Sequence, residues 1–315
     1  MIGIVGAGAF GGALAIAWGA DGDVVLWGRD GEAMTRAQGA RALSRLPGAH
    51  LPDRLTATAD PAALGECETV VLAVPMQALS DTLARLPLSP AHAVAACKGV
   101  DLATLRGPTA LIAEAWPGAT PAILSGPSFA ADIARGMPTA LTLGCADAAA
   151  CIRMQDVLST PVLRLYRSGD VAGVELGGAL KNIVAIACGA AMGAGLGESA
   201  RAALMTRGMA EIGRLAQALG AAPATLSGLS GLGDLALTCA SPQSRNYALG
   251  LAIGQRTDRP QATAEGVPTA EAALRLGARH GLDLPVTAAV HALVTGAAEV
   301  EDAIAALLAR DLTVE

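Results

Sequence analysis

The chain has 315 residues, enough for two domains at ~100–200 residues each, and 52% of them are apolar although only 2% are aromatic. A net charge of −6 at pH 7 argues against a nucleic-acid or anionic-membrane surface, which usually shows a basic stripe. Six cysteines (67, 97, 145, 151, 188 and 239) form no Cys-x-x-Cys pair, which argues against a metal or disulfide framework and for small buried hydrophobes in a reducing compartment.

The sequence opens on the strand-like run IGIV, with no charged segment or cleavage site ahead of it. Its longest apolar run, 183–197, is broken by glycines and stops short of the ~20 residues of a membrane span. The expectation is a soluble, cytoplasmic protein.

GAGAFG follows IGIV and opens the helical run ALAIAWGA. In that setting each glycine has a task. Gly6 permits a tight turn, Gly8 lets the backbone reach a pyrophosphate, and Gly11 lets helix and strand close up. The helix N-terminus then faces the phosphates. The next strand, DVVLW, leads to Arg29, eighteen positions after Gly11. An arginine there suits the 2′-phosphate of NADP, whereas an acid holds the ribose hydroxyl of NAD. Asp30 fits either a ribose ligand or a helix N-cap, so NADP is the first expectation and NAD stays open.

TVVLAVP, AVAAC and AILSG continue the alternation of β-rich runs with helical stretches, and TALTLGC and VLRLY close it. Such a pattern predicts an α/β domain with a doubly wound parallel sheet over residues 1–168. From 169 to 315 the period becomes helical, in VAGVELGGALKNIVAIACGAA, ARAALMTRGMAEIGRLAQALG, TAEAALRLGARHG and VEDAIAALLAR. An all-helical second domain is expected.

Of 22 positive side chains only two are lysine, Lys98 and Lys181. Arginine cannot give up a proton, whereas an ammonium can, so a site that needs a titrating amine must keep lysine. Lys98 closes AVAAC at the strand end where open α/β sheets bind ligands. Lys181 follows Gly177 and Gly178 by one helical turn, which leaves space beside its stem for a ligand. Glu175 and Asn182, two turns apart, are expected to line one cleft.

The segment GLGDLALTCASPQSRNYALG, residues 231–250, is unusually polar for this chain. Ser244, Arg245 and Asn246 offer hydroxyl, guanidinium and amide donors matched to a phosphate, and Asp234 suits a hydroxyl or an ammonium. Taken alone, the Ser-Arg-Asn run after Pro242 equally marks a helix N-cap. SGPSFA, at the end of AILSG, adds Gly126, Ser128 and backbone amides.

Through GAGAFGGALA, LWGRD, ACKGV, LSGPSFA, ELGGALKNIVAIACG, ARAALMTRGMAEI, GLSGLGDLALTCASPQSRN and AEGVPTA, the chain resembles the prokaryotic type of NAD(P)-dependent glycerol-3-phosphate dehydrogenase nearly end to end. The resemblance implies a Rossmann-type domain and reversible hydride transfer between NAD(P)H and dihydroxyacetone phosphate for phospholipid synthesis. It implies Lys181 as the acid and base at the C2 oxygen, and substrate contacts from Lys98, Gly126, Ser128, Asp234, Ser244, Arg245 and Asn246. Ala9, Phe10, Arg29, Ala130, Thr263 and Glu265 fall at cofactor positions, as do Lys98 and Arg245. A small phosphorylated substrate, no metal and a homodimer complete the expectation. Ala9 and Cys97 stand where the family often has hydroxyl residues, and Met192 and Ser199 replace polar partners. Two readings compete. A β-hydroxyacid dehydrogenase shares the two-domain layout and a Lys-Asn pair, but needs no anion site after GDLALTC. A non-catalytic NADP-binding sensor needs no titrating amine.

Overall fold

The structure is a computed structural model that describes residues 1–261 and 263–308. Eight strands form one sheet: β1 (Ile2–Val5), β2 (Val24–Trp27), β3 (Leu55–Thr58), β4 (Thr69–Leu72), β5 (His92–Ala95), β6 (Thr120–Ser125), β7 (Thr139–Gly144) and β8 (Leu163–Ser168). Their order is β3-β2-β1-β4-β5-β6-β7-β8. The direction of winding reverses between β1 and β4, which opens a ligand crevice at the carboxyl ends of those strands. Around the sheet lie α1 (Ala9–Gly19), α2 (Gly31–Ala40), α3 (Leu79–Arg85), α4 (Pro108–Ala115), α5 (Ala130–Ala134) and α6 (Ala148–Leu158).

Successive residues of each inner strand enter opposite cores. Ile2, Ile4, Leu26, Val71, Val94 and Leu124 pack with α1, α2 and α6. Val5, Val25, Val70, Leu72, Ala95 and Ile123 pack with α3 and α4. Burial on both faces explains why these strands are apolar throughout instead of alternating. The three tryptophans fill volume that few other aromatics supply, and each indole N–H finds a carbonyl: Trp18 on Leu158, Trp27 on Ala59 and Trp116 on Leu86.

Two features depart from the sequence expectation. β3 was not foreseen: this edge strand is only four residues long and buries Leu55 and Ala57 while its threonines face outward, so it shows no apolar run. The sheet is also not wholly parallel, because β6 and β7 run antiparallel. The short helix α5, five residues long, is too small to carry the chain back along the sheet as a parallel crossover requires.

The chain forms two compact units, one of Met1–Lys98 and Arg106–Glu175 and a second of Gly99–Leu105 and Leu176–Glu315. The second is helical, with α7 (Val171–Gly193) entering it from the first, followed by α8 (Gly197–Ala218), α9 (Pro223–Leu226), α10 (Asp234–Thr238), α11 (Arg245–Gln255), α12 (Gly266–Arg279), α13 (Pro285–Thr295) and α14 (Val300–Leu308). At 23 residues α7 is long and apolar enough to cross a membrane, a longer stretch than 183–197 alone. Here 83% of its most apolar window is buried inside protein. Glycines let α11 lie directly on it. A Cβ on Gly189 would collide with the Tyr247 carbonyl, and one on Gly250 with the carbonyl of Ile186.

Candidate functional site

The β1–α1 turn in the first unit is built as its glycines require. Gly6 has φ +115°, and a Cβ there would lie 2.6 Å from the Ala73 carbonyl oxygen. A Cβ on Gly11 would collide with the carbonyl of Gly6. Gly8 differs: it is the N-cap of α1, offers no capping side chain, and has nothing within 4 Å of its Cβ position. Open space beside Gly8 therefore lies at the positive end of α1, where a helix N-terminus suits a pyrophosphate. Arg29 follows β2 and is exposed. Asp30 caps α2, its carboxylate accepting from Ala33 N–H at 2.9 Å. Of its two readings the N-cap is the one observed.

At the same edge of the sheet, Lys98 follows β5 and its Nζ donates to the Gly126 carbonyl at 3.0 Å. The Ser128 hydroxyl donates to that oxygen at 3.1 Å. Gly126 reaches φ +144°, a turn that keeps its carbonyl toward both donors. Ala130 begins α5 and is half-buried, while Cys97 lies in the core beneath α3 and α4.

In the second unit Lys181 sits within α7 and is 8% exposed. Its Nζ lies 2.6 Å from Asp234 Oδ1, and that carboxylate is still more deeply buried. A widened π-helical turn, Leu229–Gly233, delivers Asp234 to the start of α10. The space beside Gly177 is not open, as the sequence suggested. A Cβ there would lie 2.8 Å from the Ser230 carbonyl oxygen, so the chain's own π turn fills it. The Ser230 hydroxyl is buried with no hydrogen-bond partner.

Glu175 and Asn182 fall in different units, since α7 passes from the first to the second between them. Glu175 accepts from Thr109 N–H at 2.8 Å in the first turn of α4, and burial pushes its carboxyl above the usual range. Asn182 Oδ1 accepts from Asn246 Nδ2 at 2.9 Å, and Asn246 Oδ1 in turn accepts from Gly266 N–H at 2.9 Å. Asn246 thus ties α7, α11 and α12 together.

Ser244 is the N-cap of α11, accepting from Tyr247 N–H at 3.3 Å and sharing a 2.7 Å hydrogen bond with the Thr238 hydroxyl. Arg245 is the first residue of α11 and is exposed. Guanidinium and helix N-terminus together make that corner attractive to an anion. Glu265 precedes α12 and is half-buried, and Thr263 is exposed. Met192 is half-buried near the end of α7, and Ser199 is exposed in the first turn of α8.

Two residues of α8 escaped the sequence reading. Arg201 donates to the Cys239 carbonyl at 3.2 Å, at the end of α10, and pairs with Glu198. Glu211 accepts from Val286 N–H at 2.6 Å, Thr287 N–H at 3.1 Å and the Thr287 hydroxyl at 3.0 Å, capping α13. Both lie within ARAALMTRGMAEI, and that motif was the only signal of them.

Family models for the N-terminus and C-terminus of NAD-dependent glycerol-3-phosphate dehydrogenase match residues 1–151 and 170–305. A relative from Cereibacter sphaeroides is 55% identical over 320 residues, covering 100% of both chains. Another, from Paracoccus denitrificans, is 54% identical over 319 residues, covering 100% of this chain and 99% of its own. Both bear the name glycerol-3-phosphate dehydrogenase (NAD(P)+). The solved glycerol-3-phosphate dehydrogenase of Coxiella burnetii superposes with TM-score 0.93 at 33% identity, covering 98% of each chain. The glycine turn, the buried lysine–carboxylate pair and these full-length matches agree, and the chain belongs to the NAD-dependent glycerol-3-phosphate dehydrogenase family.

Proposed function

We propose that the protein reversibly transfers a hydride between NAD(P)H and dihydroxyacetone phosphate, giving sn-glycerol 3-phosphate for phospholipid synthesis. The observation that carries the chemistry is the 2.6 Å contact between buried Lys181 and Asp234. When bound, the dinucleotide supplies the hydride. Negative charge then develops on the C2 oxygen of the substrate, and the Lys181 ammonium stabilises and protonates it. Asp234 holds the Nζ in place while it does so, and the neutral amine takes the proton back in the reverse direction. Ser244, Arg245 and Asn246 are assigned to the phosphate end, and Lys98, Gly126 and Ser128 to further substrate contacts.

Gly6, Gly8, Ala9, Phe10 and Gly11 are assigned to the pyrophosphate, supported by the open cradle beside Gly8. Arg29 is assigned to the 2′-phosphate, which makes NADP the preferred cofactor with NAD accepted. Its exposure and the use of Asp30 as a cap support that preference. Lys98, Ala130, Thr263, Glu265 and Arg245 complete the cofactor set. We assign the domain boundary between 168 and 169, a reading supported by family models that end at 151 and begin at 170, whereas the compact units divide at Glu175 and Leu176. A cytoplasmic homodimer that binds no nucleic acid and inserts no segment in a membrane completes the reading. The hydroxyacid-dehydrogenase and sensor readings are not favoured, since the full-length relatives are glycerol-3-phosphate dehydrogenases.

The test follows nicotinamide absorbance with dihydroxyacetone phosphate, using NADPH and NADH in parallel. Oxidation of NADPH faster than NADH is expected, and no oxidation of either would refute the reading. Lys181→Arg should fold but lose nearly all turnover, because guanidinium does not release a proton at working pH. Activity like the unmodified enzyme's in that variant would remove Lys181 from the role.

A further inference from the structure

We infer that Arg201 is a positioning residue for the phosphate corner at the N-terminus of α11, an inference that rests on the function proposed above. The geometry lies wholly within the second unit. α10 is only five residues long. Its first residue, Asp234, holds Lys181, and its last, Thr238, shares a hydrogen bond with the Ser244 hydroxyl at 2.7 Å. Between Thr238 and Arg245 the chain makes a strap whose middle residues, Ala240, Pro242 and Gln243, are exposed. Within the strap the bonds are short-range, from Gln243 N–H to the Ser241 hydroxyl at 3.2 Å and from Ser244 N–H to the Ser241 carbonyl at 3.1 Å, so its ends set its place on the protein.

One end is pinned by the Thr238–Ser244 pair and the other by Arg201. The Arg201 guanidinium donates to the Cys239 carbonyl at 3.2 Å and is itself steadied by Glu198, whose carboxylate accepts from Nε at 2.7 Å. A cation on the C-terminal carbonyls of a short helix satisfies groups that have no intrahelical partner and opposes the helix dipole there. The main chain of Arg201 is held as well, since Cys188 Sγ donates to its carbonyl at 3.7 Å. The guanidinium is one-quarter exposed and bonds to protein on both sides, to Glu198 and to the Cys239 carbonyl, so the role assigned to it is to hold the strap.

The two ends of α10 should respond differently to its loss. Asp234 keeps its own ion pair with Lys181, so the proton-transfer step persists. The strap that leads to Ser244 and Arg245 loses its anchor at Cys239, so the phosphate is held less well. In Arg201→Ala the KM for dihydroxyacetone phosphate should rise on the order of tenfold, the worth of one charge-assisted hydrogen bond. The KM for sn-glycerol 3-phosphate in the reverse direction should rise by the same factor, because both carry the same phosphate. With saturating NADP(H), kcat in each direction should stay within about twofold, since the Lys181–Asp234 pair is unaltered. Arg201→Lys should fall between, because an ammonium can reach a carbonyl but lacks the planar fork that also engages Glu198.

The experiment measures KM and kcat in both directions for the unmodified enzyme, Arg201→Ala and Arg201→Lys, with a thermal melt of each. Unchanged KM values in Arg201→Ala would overturn the inference. So would a loss shared between kcat and KM together with a lower melting temperature, because that pattern describes general structural damage. Should Arg201→Ala fail to fold, Arg201→Lys must still show the split. If the unmodified enzyme does not reduce dihydroxyacetone phosphate, the proposed function fails first and takes this inference with it.

Discussion

A lysine ammonium removed from water must have its charge answered, and in α7 that answer is Asp234 at 2.6 Å. The two side chains are 10% and 2% exposed, so neither can turn to solvent when the other is removed. Removing one partner of a buried ion pair costs about 3–5 kcal/mol. Asp234→Asn should therefore lower unfolding stability by roughly that amount, measured by chemical denaturation. Adding Lys181→Met should recover part of the loss, because the buried charge itself is gone. Strictly additive single losses in the double variant would show that the pair is not coupled. The two lysines were legible in the sequence because lysine is so rare here. Asp234 was legible as an acid suited to an ammonium, but which lysine it meets, 53 residues away, was not, and Lys98 rests on a main-chain carbonyl that no residue pattern advertises. Arg201 was hidden among twenty arginines, and only its contact with the Cys239 carbonyl distinguishes it.

Helices α7 and α11 touch backbone to backbone, and the glycines that allow this are spaced four apart on each: 189 and 193, 250 and 254. On an exposed helix, Gly→Ala stabilises by roughly 0.5–1 kcal/mol through lower backbone entropy. Gly250→Ala should do the reverse, because the new methyl meets the Ile186 carbonyl and one helix must move outward. A loss of about 1–3 kcal/mol is expected, the usual cost of overpacking. Gly213→Ala on α8 is the internal control, since nothing lies within 4 Å of its Cβ position. It should raise the melting temperature while Gly250→Ala lowers it; the same sign for both would refute the packing argument. The alternation of strand and helix was legible because buried strands carry unbroken apolar runs. β3 and the antiparallel turn at β7 were not, because one is an edge strand with half its residues outward and the other depends on the length of α5. The turn 229–233, LSGLG, gave no sign that it would fill the space beside Gly177.

Across the whole molecule, three titratable groups shifted by burial set opposing slopes in stability against pH. Glu175 and Glu211 each cap a helix, and burial pushes both carboxyls above their ordinary range. A raised carboxyl pKa means that the folded state holds its proton longer than the unfolded chain. Stability from each is thus fully present below the unfolded carboxyl pKa and is lost as pH rises through the folded one. His92 works the other way. It lies at the start of β5 with Nδ1 3.3 Å from the Thr69 hydroxyl, and burial lowers its pKa. Its contribution is present above the unfolded imidazole pKa near ~6.5 and is lost as pH falls through the lowered folded value. Glu211→Gln removes one carboxyl from this balance while keeping an acceptor for one of the α13 N–H groups. Its amide must turn a donor toward another, so the variant should be less stable at every pH. The decisive quantity is the slope. Between the ordinary carboxylate range and neutrality, ΔG of unfolding in Glu211→Gln should fall less steeply with rising pH than in the unmodified protein. Urea denaturation of both proteins across that interval measures the difference. Parallel curves would mean that Glu211 loses its proton over the same pH range in the folded and unfolded chains, and that its burial is fully offset by the Val286 and Thr287 donors.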